Sequence, residues 1–430
     1  MLERLTQLLW GRPMLWFMTL LGLRITWLTR GYPLRCFGRM WRLTLGKKPD
    51  GAGGPSPWQT LCTALGGTIG VGNTVGVAAA IAVGGPGAVL WMVLSAFLAA
   101  GIKFAETYLA GLCKDPALGF GGPMHYMRHL LGSRPLALFF SLSVLPASLF
   151  VGNLAQSNLV CLSARQIFGL PAPAMGLVLA VAMGAVLLGG AKRIGQLCAV
   201  LVPWMSVGYL ALCLIILLQN AGQVPRALAS IWQGAWAPLA LPGGVGAHLL
   251  SRALSAGFSK GMFSNEAGMG SAPMAHTRSR ETDPQALGAW GVWEVLIDTV
   301  LICTLTALVI LTAGPEVADP VQAVLGCFTQ SFGKPGQWFF FASMTLFAFA
   351  SMCAWSLYAT SALSTLSPRP RYRYLFTALF VVAIPLGAGL STGRILLWAD
   401  LFNALMALPN LLALWLLSHR KDLCAQWRRL

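Results

Sequence analysis

Two stretches of this chain set glycine, asparagine, serine and a carboxylate inside apolar sequence. The first is LGGTIGVGNTVGVAAAIAVGGPGA, residues 65–88, and the second is GFSKGMFSNEAGMGSAPMAH, residues 257–276. These residue types bind ions and dipoles rather than attack bonds. A helix restarting after Gly70, Val71, Gly72 and Asn73 presents free N–H groups and a positive dipole end, which hold a carboxylate without an arginine. A half-helix ending at Phe263, Ser264 and Asn265 offers carbonyls to an ammonium or a cation. One donor-rich end and one acceptor-rich end suit a zwitterion. Glu266 follows directly, and a carboxylate at mid-membrane must pair, protonate or line water. It reads as an acceptor that holds the break open, as a proton site, or as a hydrated position.

The elements that carry these stretches are membrane spans. The chain has 430 residues, of which 56% are hydrophobic and 10% charged. Soluble domains carry about a quarter charged residues, so a soluble class is excluded. Eleven apolar runs approach the roughly 20 residues that cross bilayer hydrocarbon. They lie near 14–29, 60–82, 88–112, 136–162, 173–190, 196–218, 248–275, 288–313, 337–362, 374–391 and 396–418. The net charge of +17 does not point to nucleic acid, because the basic residues fall between the runs. With the N-terminus outside, twenty of the thirty basic residues are cytoplasmic, six lie opposite and four lie within spans. The positive-inside rule then places the C-terminus in the cytoplasm.

Setting the first span aside leaves five plus five, with a glycine-broken span opening each half. Backbone unwinds at that depth only where it is buried in protein or lines a cavity. Paired breaks in matching positions of two halves mark the binding site of a secondary transporter built as an inverted repeat. The expected organisation is an N-terminal helix and basic segment (1–55), a first five-helix repeat (56–220), a second (221–418) and a basic tail (419–430).

Other constellations carry less. Ten cysteines occur singly, without CxxC spacing, which supports neither zinc nor a disulfide framework. The stretch Met14–Trp27 contains Arg24 and lacks a small-residue cleavage site, unlike a cleavable signal. His125 and His129 share i,i+4 spacing but have no evident third ligand. No lysine follows GVGN at the spacing of a phosphate loop, and no serine–histidine–aspartate order fits a hydrolase. No enzyme and no cofactor is expected. Lys103 and Glu106 can pair on one helix face, and Glu294, Asp298 and Asp400 read as anchors between helices.

The blocks GVGNTVGVAAAIAVGGPGAVLW (70–91), KFAE (103–106), GGPMHYM (121–127), GNLAQSN (152–158), GGAKRIG (189–195), FSNEAGMGSAPMAH (263–276), EVLIDT (294–299) and NALMALPNLLAL (403–414) resemble the alanine-or-glycine:cation symporters, the sodium:alanine symporter family. The resemblance runs in register over about residues 60–418, and FSNEAGMGSAPMAH is its most specific block. It implies an all-α polytopic fold of eleven helices in a leucine-transporter-like arrangement, with cotransport of small neutral amino acids and sodium. It tips Gln156 toward substrate contact. By their own bulk, Trp355, Phe263 and Met262 are candidates for limiting side-chain size. The resemblance implies a sodium site at Ala350 and Ser351, completed by carbonyls of the break near Ile69 and Gly70. This chain departs from the family where Val71 replaces a usual threonine and where Ala350–Ser351 replaces a threonine pair. Losing a hydroxyl removes one hard oxygen ligand of the kind a cation needs.

The reading is a multi-pass carrier of the bacterial cytoplasmic membrane that imports alanine, glycine or similar with sodium. Its partners are the amino acid, the sodium ion and lipid. The alternatives are a proton-coupled carrier, with Glu266 titrating, and a substrate-sensing receptor or channel on the same scaffold.

Overall fold

The structure is a computed structural model and describes residues 6, 9, 11–46, 54–70, 72–236, 244–314 and 319–430. Among these residues the architecture is all-α, with one isolated β-bridge between Asp115 and Phe120. The principal helices are α1 (Arg12–Leu28), α2 (Pro57–Thr68), α3 (Val77–Gly84), α4 (Ala88–Leu112), α5 (Arg134–Leu149), α6 (Ala155–Phe168), α7 (Ala172–Leu187) and α8 (Gly190–Gln219). They continue as α9 (Gly244–Ser264), α10 (Ser271–His276), α11 (Pro284–Val295), α12 (Thr304–Ala313), α13 (Lys334–Leu366), α14 (Pro370–Gly387) and α15 (Thr392–Leu417). Each of the eleven expected apolar runs contains helix. Six segments are long and apolar enough to cross a membrane alone, and α2 with Gly72–Gly84 makes a seventh as a bent pair. The helices α1 and α7 are apolar but shorter. The outer surface is apolar, with Leu188 85% and Trp204 77% exposed. Water would not sustain such a surface, but lipid does. The chain is therefore a multi-pass membrane protein.

Local sequence explains where the site-bearing helices begin and end. Ser56 and Gln59 form a reciprocal capping box around Pro57 and start α2. After Thr68 the chain turns by 57° into the segment Gly72–Gly84. The second break lies between Ser264 and Ser271. There Gly268 and Gly270 have φ of +80° and +78°, which glycine adopts without steric cost. A Cβ at Gly268 would run into Leu411, and one at Gly270 into Pro123. Glu266 has φ of +54°, a left-handed conformation rare outside glycine and a place where strain collects at functional sites.

Among the described residues, three wide π-helical turns interrupt the spans, at Gly72–Gly76, Phe150–Leu154 and Leu296–Cys303. Such turns are rare and tend to sit at functional sites. One follows the first break, one precedes Gln156 and one contains Asp298.

The central helix α4 is packed by α9 and α11. Its Lys103 and Glu106 are fully buried. The expected Lys103–Glu106 pair exists at 3.8 Å, but the closer partner of Lys103 is Glu294 of α11, at 3.1 Å. Glu294 also meets His276 at 2.8 Å, so it is the interhelical anchor that its sequence position suggested. Glu106 accepts from the Gly270 N–H at 3.2 Å and from Asn410 at 3.0 Å. Asp400 lies on an exposed face of α15.

Breaking a buried ion pair by removing one partner costs about 3–5 kcal/mol, because the remaining charge is left uncompensated. Lys103→Met is expected to destabilise the protein on that scale, and Lys103→Met with Glu294→Gln to recover most of the loss. Thermal unfolding in detergent across the four proteins of this cycle checks it. A loss in the double variant equal to the sum of the two single losses would show that the pair is not coupled.

Candidate functional site

The two breaks meet at one carboxylate. Asp298 lies on the π-helical turn Leu296–Cys303 and is fully buried. Asn73, just past the first break, donates its amide to Asp298 Oδ1 at 2.5 Å. Ser264, at the end of the half-helix before the second break, donates its hydroxyl to Asp298 Oδ2 at 2.8 Å. Thr299 donates to the same oxygen at 2.9 Å and accepts from Asn265 Nδ2 at 3.1 Å. A buried carboxylate is stabilised when several donors share its charge, and hydrogen bonds to a charged group run to about 1.5–3 kcal/mol each. One side chain thus holds both breaks together.

This arrangement redistributes the expected roles. The Asn73 amide nitrogen and the Ser264 hydroxyl are engaged by Asp298. Asn265 donates to the Gly261 carbonyl at 2.6 Å and accepts from the Ala267 N–H at 3.1 Å, closing the end of α9. What Asn73 keeps for a ligand is Oδ1, which is buried and has no partner among the described residues. Glu266 accepts from the Ser271 hydroxyl at 2.5 Å, within the second break itself.

The first break is flanked by further buried polar atoms of this kind. The Gln156 side-chain amide faces Gly70, where a Cβ would stand 3.4 Å from it. Its Oε1 lacks a partner among the described residues, and its Nε2 makes a long 3.4 Å bond to the Val151 carbonyl. Trp355 is fully buried against Gly152, and its indole N–H is likewise without a partner among the described residues. The Tyr358 hydroxyl faces Gly67 and shares that condition, and its ring lies 5.6 Å from that of Trp355. Buried polar groups normally find partners, so a cluster of orphaned ones beside unwound backbone marks a binding place. Phe263 is partly buried and packs on the main apolar core, with Met262 fully buried beside it.

Of the expected cation ligands, Ser351 donates to the Gly67 carbonyl at 3.3 Å. Ala350 lies against Gly66, so both positions face the last turn of α2. Ile69 is buried at the end of that helix, and the Gly70 carbonyl accepts from the Asn73 N–H at 3.1 Å. Val71 lies outside the described residues.

Two residues of the site are new. Asp298 reads in sequence only as an interhelical anchor, although a carboxylate within an apolar span is itself a functional signal. Lys260 crosses from α9 and donates to the Gly72 carbonyl at 2.6 Å. Its stem runs past Gly76, where a Cβ would approach Nζ to 2.9 Å. Gly72 and Gly76 therefore leave room for a lysine as well as for a ligand. His125 is buried and His129 exposed, and no cluster of three metal-ligating side chains occurs among the described residues. Burial pulls His125, which lies outside the spans, down to about 4, so it is neutral at pH 7.

An all-helical membrane protein whose two broken helices converge on orphaned polar atoms is built as a solute carrier. The model of the sodium:alanine symporter family matches residues 1–426, and the chain belongs to that family. It is a transporter and not an enzyme. An uncharacterized transporter of Bacillus subtilis (strain 168) is 34% identical over 97% of this chain and 91% of its own length. A protein named sodium/alanine symporter, from Methanococcus maripaludis, is 34% identical over 88% of this chain and 85% of its own. A second Bacillus subtilis protein, named probable sodium/glutamine symporter, is 31% identical over 96% and 86%.

Asn73→Ala and Ser264→Ala each remove one donor from Asp298, and each is expected to cost roughly 1–3 kcal/mol of stability. Because they share one acceptor, the double variant is expected to depart from additivity by at least 0.5 kcal/mol. Strict additivity in thermal unfolding would show that Asp298 does not couple the breaks. Gln156→Ala is expected to raise the apparent Kd for substrate about 5- to 100-fold at nearly unchanged stability, since its one protein bond is long. Substrate titration of the purified variant checks this, and an unchanged Kd would make Gln156 a packing residue.

Proposed function

We propose that this chain imports small neutral amino acids, alanine and glycine foremost, together with sodium by alternating access. The observation that carries the reading is the convergence of both broken helices on Asp298, beside the orphaned polar atoms of Asn73, Gln156, Trp355 and Tyr358. The half-helix end after the first break takes the substrate carboxylate on its free N–H groups. The ammonium goes to oxygen acceptors, of which Asn73 Oδ1 and Gln156 Oε1 are buried candidates. The names of the Methanococcus and Bacillus relatives support amino acid symport with sodium as the coupling ion. The sodium ion takes the Ser351 hydroxyl with backbone carbonyls at the end of α2, near Ile69 and Gly70. In this reading 56–220 and 221–418 are the two inverted halves, and the basic tail faces the cytoplasm of a bacterial inner membrane.

A proton-coupled carrier is the second reading, and one feature favours it. Glu266 stands in a left-handed backbone position within a buried cluster that also holds Glu106 and Glu294, against Lys103 and His276. A buried carboxylate within a span is the residue type that serves proton relays in carriers.

Uptake of labelled alanine into proteoliposomes, with sodium and pH gradients varied separately, separates the two. Sodium-driven uptake at fixed pH is expected. Ala350→Thr, which adds a hydroxyl against the same turn as Ser351, is expected to lower the half-saturating sodium concentration by at least a factor of 2. Uptake that ignores sodium and follows the pH gradient supports the proton reading, and Glu266→Gln should then abolish the pH dependence. Uptake under neither gradient overturns both.

A further inference from the structure

At the basic end of the spans, a cavity of about 330 Å³ lies between α8, α13 and α14. Its charged lining residues are Arg278, which follows α10, and Arg373 on the first turn of α14. Ser356, Thr360, Ser364 and Thr377 add hydroxyls, and no acidic side chain lines it. The guanidinium of Arg278 stands 4.3 Å over the Phe120 ring and donates one Nη to Ser361 at 2.8 Å. Its Nε is buried and has no partner among the described residues. Burial, and then the like charge of Arg373, pull Arg278 down to about 10. Two arginines facing one cavity without a carboxylate form a site that an oxyanion would satisfy, because arginine pairs with phosphate in a bidentate fork.

The surroundings of the cavity distinguish the source of that anion. Its rim carries Leu187 and Leu188 of the α7–α8 turn, the latter 85% exposed, and Tyr374, 72% exposed. Arg369 and Arg371 stand exposed beside it at the start of α14. Charged head, hydroxyl wall and apolar rim in this order match a phospholipid at the membrane edge. A second cavity, of about 630 Å³, lies between α2 and α8 and shares Ala191, Arg278 and Leu357 with the first. Arg278 therefore stands between the membrane edge and a space that reaches α2 of the candidate site.

We propose that Arg278 and Arg373 form a phosphate-binding site for the headgroup of an anionic phospholipid. The proposal is independent of the transported substrate. The test uses the full chain purified in neutral detergent. Native mass spectrometry measures retention of phosphatidylglycerol against phosphatidylcholine, with inorganic phosphate and glycerol 3-phosphate added in separate arms. Wild type is expected to retain phosphatidylglycerol at least tenfold better than phosphatidylcholine. Arg373→Gln, an exposed position that leaves the core intact, is expected to lower that preference at least fivefold. Arg278→Lys keeps the charge but loses the fork, and an intermediate preference is expected. Resistance to millimolar inorganic phosphate identifies a lipid as the occupant. Full displacement by inorganic phosphate or glycerol 3-phosphate at that level, with the arginine dependence kept, overturns the lipid source and leaves a soluble phosphate site. The same lipid preference in wild type, Arg373→Gln and Arg278→Lys overturns the site altogether.

Discussion

A transporter of this design must keep two helices broken inside a membrane, and the buried Asp298 is what makes the two breaks one site. Unwound backbone in lipid is stable only when its polar groups find partners within the protein. Asp298 collects Asn73 from the first break, Ser264 from the second and Thr299 from its own turn. Its π-helical turn is part of the same device, since widening the helix changes which side chains point inward. The carboxylate cannot leave this arrangement cheaply, because a desolvated charge without donors costs far more than the bonds that hold it.

The second break is held from its other side by a separate charge network. Glu106 reaches the Gly270 N–H and Asn410, while Asn410 also donates to the Gly268 carbonyl at 2.9 Å. Lys103 and His276 both contact Glu294 beside it. The polar interior is thus divided. One layer around Asp298 ties break to break, and another around Lys103 ties the second break to α4, α11 and α15.

Much of the fold was legible because bilayer physics is severe. Long apolar runs, basic connections and paired glycine-rich interruptions can mean little else in a chain with 10% charged residues. Gly70, Asn73, Ser264 and Asn265 were identifiable as a set for the same reason, whereas Gln156 stood out only through the family resemblance. Their functions were less legible. Asn73, Ser264 and Asn265 suggest ligand contacts by residue type, but their hydrogen-bonding groups are largely engaged by protein. A donor in sequence is the same whether its acceptor is a substrate or an aspartate 225 positions away.

The sequence by itself determined the class of the molecule, the location of both breaks and the family. These follow from composition and from local patterns that span at most a helix. Tertiary structure decided the pairings. Lys103 takes Glu294 from another helix in preference to Glu106 on its own, because 3.1 Å across an interface outweighs 3.8 Å along a helix. Lys260 reaches the Gly72 carbonyl 188 residues away, which no periodicity encodes. Charge and hydrogen bonding depend on distance in space, and in a bundle of long helices that distance is set by packing rather than by separation along the chain.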